Sequence, residues 1–175
     1  LEDLPHRPRL QEPYDTFSEN ACAKASQAAE QTGMVALADD SGLVVDALDG
    51  RPGVHSSRYA DPDPQRIQRL LDEMLGVPEG DRTAHFVCVV ALATPEKVLQ
   101  TWEGAVHGRI ATETSGTEGF GFDPVFYYPP EDRTFAEMPQ EAKNRISHRG
   151  RALQQALEQL PQLIQKHSTS TRTQD

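Results

Sequence analysis

The sequence predicts an α/β or α+β domain built around a mixed sheet, and three observations carry that prediction. Short apolar runs without polar alternation, at 34–38, 43–48 and 83–93, suit strands buried on both faces. Apolar side chains recur at helical spacing over 17–29, 67–75 and 146–164. A length of 175 residues supports one well-buried core and is short for two ordinary domains. A single domain over 1–165 is therefore expected, with a disordered polar tail over 166–175.

The opening segment to Asp15 holds three prolines and no sustained period, so it reads as irregular. Thr16-Phe17-Ser18-Glu19 has the form of a capping box, a hydroxyl for the free amides of a first turn and a glutamate returning to the cap. The helix it starts carries Phe17, Ala21, Ala25 and Ala28 on one side and stops at Gly33, which can turn left-handed. Met34 to Ala38 is the first predicted strand; it breaks at Asp39-Asp40-Ser41-Gly42, and Leu43 to Leu48 resumes as a second. Gly50-Arg51-Pro52-Gly53 is a turn signal. Asp63 and Pro64 read as cap and first residue of a helix with Ile67, Leu70, Leu71, Met74 and Leu75 as its stripe. Thr83 to Ala93 and Val98 to Ile110, joined through Thr94-Pro95-Glu96, predict a long antiparallel hairpin. Val125 to Tyr128 is strand-like, and a final helix follows Pro139, with Pro161 as a kink point.

The net charge of -10 repels nucleic acid backbones and anionic lipid, which argues against either as a partner. No stretch approaches the roughly 18 apolar residues of a membrane span and no charged-then-apolar leader opens the chain, so a cytoplasmic location is expected. Cys22 and Cys88 have no spacing that suggests a metal site or a disulfide framework and read as reduced thiols.

Three groups could carry chemistry. Asp39 and Asp40 end a buried strand, where two carboxylates are costly without a compensating charge. A magnesium ion would compensate them, since it takes oxygen ligands and commonly binds through one or two carboxylates plus substrate phosphates. The same residues could instead form a turn in which a carboxylate bonds nearby amides. Lys143, Arg145, His148, Arg149 and Arg151 concentrate positive charge, with Arg145 and Arg149 one helical turn apart, as a polyphosphate site or as a solvated face. Gly116 to Pro124, with glycines at 116, 119 and 121 and phenylalanines at 120 and 122, could bring backbone and aromatic rings against a flat ligand, or simply end a strand. Glu12, Glu19 and Lys24 are further candidates.

Taken together and in this order, TFSENACAKA, ADDSGLVVDALDGRPGVHSSRYA, GTEGFGFDPVF and TFAEMPQEAKNRISHRGRAL resemble the inosine triphosphate pyrophosphatase family of nucleotide hydrolases, from about Leu4 to Leu160. The resemblance implies an elongated mixed sheet flanked by helices, two lobes with a cleft between them, and a homodimer. It implies hydrolysis of inosine- or xanthosine-type triphosphates to the monophosphate and pyrophosphate, with Mg2+ as cofactor. Asp40 would be the catalytic carboxylate and a magnesium ligand, Glu12 a second metal ligand and Ser41 a substrate contact. Phe120, Gly121, Phe122 and Asp123 would meet the nucleotide, and Lys143, His148 and Arg149 would also bind it. Family members begin with a strand and a Thr-Gly-Asn-x-x-Lys loop that binds phosphates, and the sequence read from Leu1 shows no such segment. Without it, the sheet is expected to lack a strand and the site a lysine and an amide-rich cradle. Two other readings are a related enzyme favouring pyrimidine triphosphates and a non-catalytic nucleotide-binding protein.

Overall fold

The computed structural model describes residues 13–170. Its helices are α1 (Phe17–Thr32), α2 (Asp63–Glu73), α3 (Gln140–Ile146) and α4 (His148–Ser170). Its strands are β1 (Ala36–Val45), β2 (Thr83–Ala93), β3 (Val98–Ile110), β4 (Phe126–Tyr128) and β5 (Arg133–Thr134), in a sheet of order β1-β2-β3-β4-β5. The α/β class expected from the sequence is the one adopted, with the refinement that the sheet is antiparallel. The pairs β3–β4 and β4–β5 run antiparallel, and β2 and β3 meet in a hairpin closed by the Thr94 amide on Lys97 O at 2.9 Å.

Contacts divide the chain into two compact units. Among the described residues, the first takes 13–40, 89–103 and 152–170, and the second takes 41–88 and 104–151. The division falls inside β1, β2 and β3.

In the first unit, α1 begins as its sequence dictates. The Glu19 amide donates to Thr16 Oγ1 at 3.2 Å, while the Thr16 hydroxyl donates to Glu19 Oε2 at 2.6 Å. Asn20, fully buried, exchanges two hydrogen bonds of 3.0 Å with the backbone of Tyr14 and so satisfies both ends of its amide. The face formed by Ala21, Ala25, Ala28 and Ala29 is buried, and small side chains there permit close packing. Gly33 ends the helix at φ 67° with its amide on Ala29 O. Trp102 is buried and donates from Nε1 to Gln159 Oε1 of α4 at 3.0 Å.

The second unit holds the larger apolar core. Ile67, Leu70 and Met74 at the α2 side pack in one cluster with Leu43 and Val45 of β1, Phe86 of β2, Val106 and Ile110 of β3, and Phe122, Phe126 and Phe135. Each such side chain contributes roughly 1.5–3 kcal/mol on burial. Arg82 fixes the edge of this core: its guanidinium, 5% exposed, donates to Met74 O, Ile110 O and Ala111 O at 2.8–2.9 Å. Burial pushes its pKa below the usual arginine value.

Three sequence expectations are corrected. The two strands predicted at 34–38 and 43–48 are one strand, β1, running unbroken through Asp39-Asp40-Ser41-Gly42, and residues 46–48 form a short 3-10 turn. Nor is the segment 34–38 a strand buried on both faces: Met34 and Val35 precede β1, and these two and Leu37 within it are each about half exposed. The stripe of α2 ends one residue early: the helix stops at Glu73, and Leu75 lies beyond its cap, 79% exposed. The final helix is two helices. Ser147 is extended (ψ 157°), donating its amide to Lys143 O while its hydroxyl accepts the Gly150 amide at 3.1 Å, so it ends α3 and caps α4. α4 then continues through Pro161 to Ser170, into the segment read as tail.

Candidate active site

β1 carries the paired carboxylates through the sheet, which removes the turn as an account of them. Asp40 is 6% exposed, and Lys24 of α1 places Nζ 2.9 Å from its Oδ1. That ammonium offsets much of the cost of burying the carboxylate, so part of the compensation expected of a metal is already present. The next turns of chain are fastened to the strand: the Leu43 amide donates to Ser56 Oγ at 2.9 Å, and the Ser56 hydroxyl donates to Gly53 O at 2.7 Å. This explains why Pro52-Gly53-Val54-His55-Ser56 must follow Asp40-Ser41-Gly42 so closely. Ser41 is half-buried.

Glu12, the second metal ligand expected, lies outside the described residues. Among the described residues no three His, Cys, Asp or Glu side chains gather. The donor set is nonetheless all oxygen, which suits a hard divalent ion that draws its remaining ligands from water and phosphate.

The glycine loop is the other built feature. Asp123 and Lys143 form a buried pair with Nζ 2.7 Å from Oδ2 and each side chain 7% exposed. The same Oδ2 accepts the Phe120 amide at 2.8 Å. Gly119 roofs the pair at φ 80°, and a Cβ there would sit 2.1 Å from Asp123 Oδ2 and 2.8 Å from Lys143 Nζ. Glycine is required twice, for conformation and for space. Phe120, by contrast, is 62% exposed, with Lys143 Nζ 5.0 Å from its ring centroid. Phe122 turns inward and meets Tyr59 edge-on at 6.3 Å.

The basic cluster is reorganised by the break at Ser147. Arg145 and Arg149 belong to different helices and are not one turn apart on a single helix. His148 and Arg149 open α4, where the first amides and helix dipole favour an anion. The His148 ring stacks on Phe86 at 4.8 Å and 13°. Gly150 permits this arrangement, since a Cβ would lie 1.8 Å from Asn144 O. Arg151 is structural, donating to Ala105 O at 2.7 Å.

The model of the Ham1 family matches residues 1–159. The chain belongs to the Ham1 family. Among curated Ham1-type relatives, the dITP/XTP pyrophosphatase of Geobacter sulfurreducens is 52% identical over 156 residues, covering 87% of this chain and 78% of that protein. The enzyme of the same name from Halalkalibacterium halodurans is 48% identical over 158 residues, 89% of this chain and 81% of that one. The solved HAM1 protein of Coxiella burnetii matches with a TM-score of 0.84 at 44% identity, covering 93% of this chain and 89% of that chain. The resemblance read from the sequence motifs is thereby borne out.

Within the Ham1 chain, Phe120, Asp123 and Lys143 lie together in the second unit, while Asp40 stands with Lys24 in the first. Lys24 is among the further candidates of the sequence, but its partner lies 16 residues on and no local spacing announces the pair. Asp63 is a different case. The sequence predicts it as a helix cap; it is instead the first residue of α2, after the cap Pro62, and its Oδ2 accepts the Gly121 amide at 2.8 Å across 58 residues.

Proposed function

We propose that this chain hydrolyses non-canonical purine nucleoside triphosphates, of the inosine, deoxyinosine and xanthosine type, to the monophosphate and pyrophosphate, so that they are kept out of nucleic acids. The observation that carries the reading is Phe120, an exposed aromatic ring whose backbone is anchored on a buried Lys143–Asp123 pair. A flat base stacks on such a ring, and an ammonium beside it offers a donor to a 6-oxo group. Adenine presents a donor at that position, leaving the ammonium unpaired against it. Membership of the Ham1 family and relatives named dITP/XTP pyrophosphatase support the same substrates over pyrimidine triphosphates or a non-catalytic role.

At the phosphate end, Asp40 accepts the proton of a water that attacks the α-phosphorus, the bond to the bridging oxygen breaks, and pyrophosphate leaves. Lys24 holds Asp40 in place for that transfer, and Ser41 contacts the substrate beside it. Asp40 and Glu12 would hold a magnesium ion, which when bound would offset charge on the phosphate chain. His148 and Arg149, at the start of α4, are further substrate-binding residues of this reading. Among the described residues no helix is long and apolar enough to cross a membrane. A cytoplasmic homodimer is part of this reading; sedimentation measures the dimer.

The deciding assay supplies magnesium with inosine, xanthosine, adenosine or guanosine triphosphate and detects pyrophosphate and orthophosphate separately. Pyrophosphate from the first two is expected, and its loss on removal of divalent metal. Orthophosphate as the product would overturn the reaction.

A further inference from the structure

Phe120 lies in a stretch with no helix or strand, yet its backbone is fixed on both sides. Its own amide is taken by Asp123 and the next amide, that of Gly121, by Asp63. Asp63 is itself held. Arg66, one turn along α2 and 13% exposed, donates from NH1 to Asp63 Oδ1 at 2.6 Å. The same guanidinium donates from Nε to Ala60 O at 3.1 Å and from NH2 to Ser57 O at 2.8 Å. One carboxylate oxygen is thus spent on fastening Asp63 to its own segment, and the other reaches the loop. Gly121 adopts φ 62° with nothing within 4 Å of a would-be Cβ. The glycine is there for the left-handed turn, which is what presents the amide to Asp63.

We propose that Asp63 is a positioning residue for purine recognition: by gripping the Gly121 amide it sets the pose of the Phe120 ring, and through that ring the affinity for the base. The inference rests on the reading of 116–123 as the base-binding loop. Asp63 touches neither base nor phosphate in this account. Its contribution is preorganisation, since a loop ordered before binding need not be ordered at the ligand's expense.

The test separates base from phosphate affinity. Calorimetry on the full chain with magnesium would titrate inosine monophosphate and, separately, inorganic tripolyphosphate. Asp63→Ala is expected to weaken the monophosphate about tenfold, the loss of one well-placed hydrogen bond, and to leave tripolyphosphate within about twofold. KM for inosine triphosphate rises by a similar factor while kcat holds. Asp63→Asn keeps one acceptor for two donors and falls between, at about threefold; it also serves if the alanine variant folds poorly. Equal loss for both ligands would mean general damage and would overturn the proposal, as would no loss for either. A wild-type chain that binds tripolyphosphate but not inosine monophosphate would instead sink the base-loop reading itself.

Discussion

Two buried aspartate–lysine pairs, Lys24–Asp40 and Lys143–Asp123, use the same chemistry in different settings. The first joins a helix to the middle of a strand at 2.9 Å. The second lies under a glycine loop at 2.7 Å, and its aspartate oxygen is shared with the Phe120 amide. A carboxylate bonded to a backbone amide helps to hold that backbone, as Asp123 holds the loop at Phe120. In the proposed reading the reacting carboxylate is the other one, Asp40.

The largest effect should expose that difference directly. Asp40→Asn keeps an oxygen for Lys24 but loses the base, so kcat for inosine triphosphate is expected to fall by about 10²–10⁴ with little change in KM, read as pyrophosphate release. A variant with normal kcat would leave Asp40 no catalytic part. Asp123→Ala should act on folding instead. It strands Lys143, 7% exposed, without its charge partner, which costs about 3–5 kcal/mol in urea unfolding, and the surviving enzyme should show a raised KM. If Asp123→Ala left stability intact, the scaffold role would fail.

Gly119→Ala probes the same pair from above. The added Cβ would press on Asp123 and Lys143 at 2.1 and 2.8 Å, in a backbone conformation at φ 80° that L residues avoid. About 1–3 kcal/mol of stability should be lost, together with affinity for inosine monophosphate. Gly121→Ala supplies the contrast, because it meets open space and suffers the conformational cost alone.

How far the sequence revealed these regions depends on the range of the interaction. The start of α1 was legible because Thr16 and Glu19 are three residues apart and each completes the other's hydrogen bonding. β2, the first strand of the hairpin, was legible because burial keeps its apolar run continuous. β1 was not, since Asp39-Asp40-Ser41-Gly42 has the composition of a turn, and its place in the sheet rests on partners elsewhere, including Ser56 at the Leu43 amide. The break before α4 was missed for a related reason: Ser147 interrupts a pattern that apolar spacing carries straight through. Of the site, the residue types were read from motifs, while the pairings of Lys24 with Asp40 and of Asp63 with Gly121 depend on tertiary contacts.

The smallest expected effect concerns a contact beside the loop. Tyr59, which meets Phe122 edge-on, donates its hydroxyl to Glu73 Oε2 at 2.6 Å, and Arg51 and Arg69 bond the same carboxylate at 2.6 and 2.9 Å. Burial, then the bond to Glu73, push the Tyr59 phenol up to about 12. Its folded value lies above its unfolded value, near 10, so the stabilisation is fully present below about pH 10 and is lost as pH rises from there through about 12. Glu73 is held below its usual range, first by the Tyr59 hydroxyl. Its share is present above the ordinary glutamate value and is lost as pH falls through the depressed one. Tyr59→Phe removes the hydroxyl and keeps the ring against Phe122, so it should cost about 1 kcal/mol at neutral pH. Above pH 10 the variant should lose stability less steeply than the parent, so that the two melting curves converge. Coincident curves from neutral pH through that range would show that Tyr59 stabilises the second unit through its ring alone.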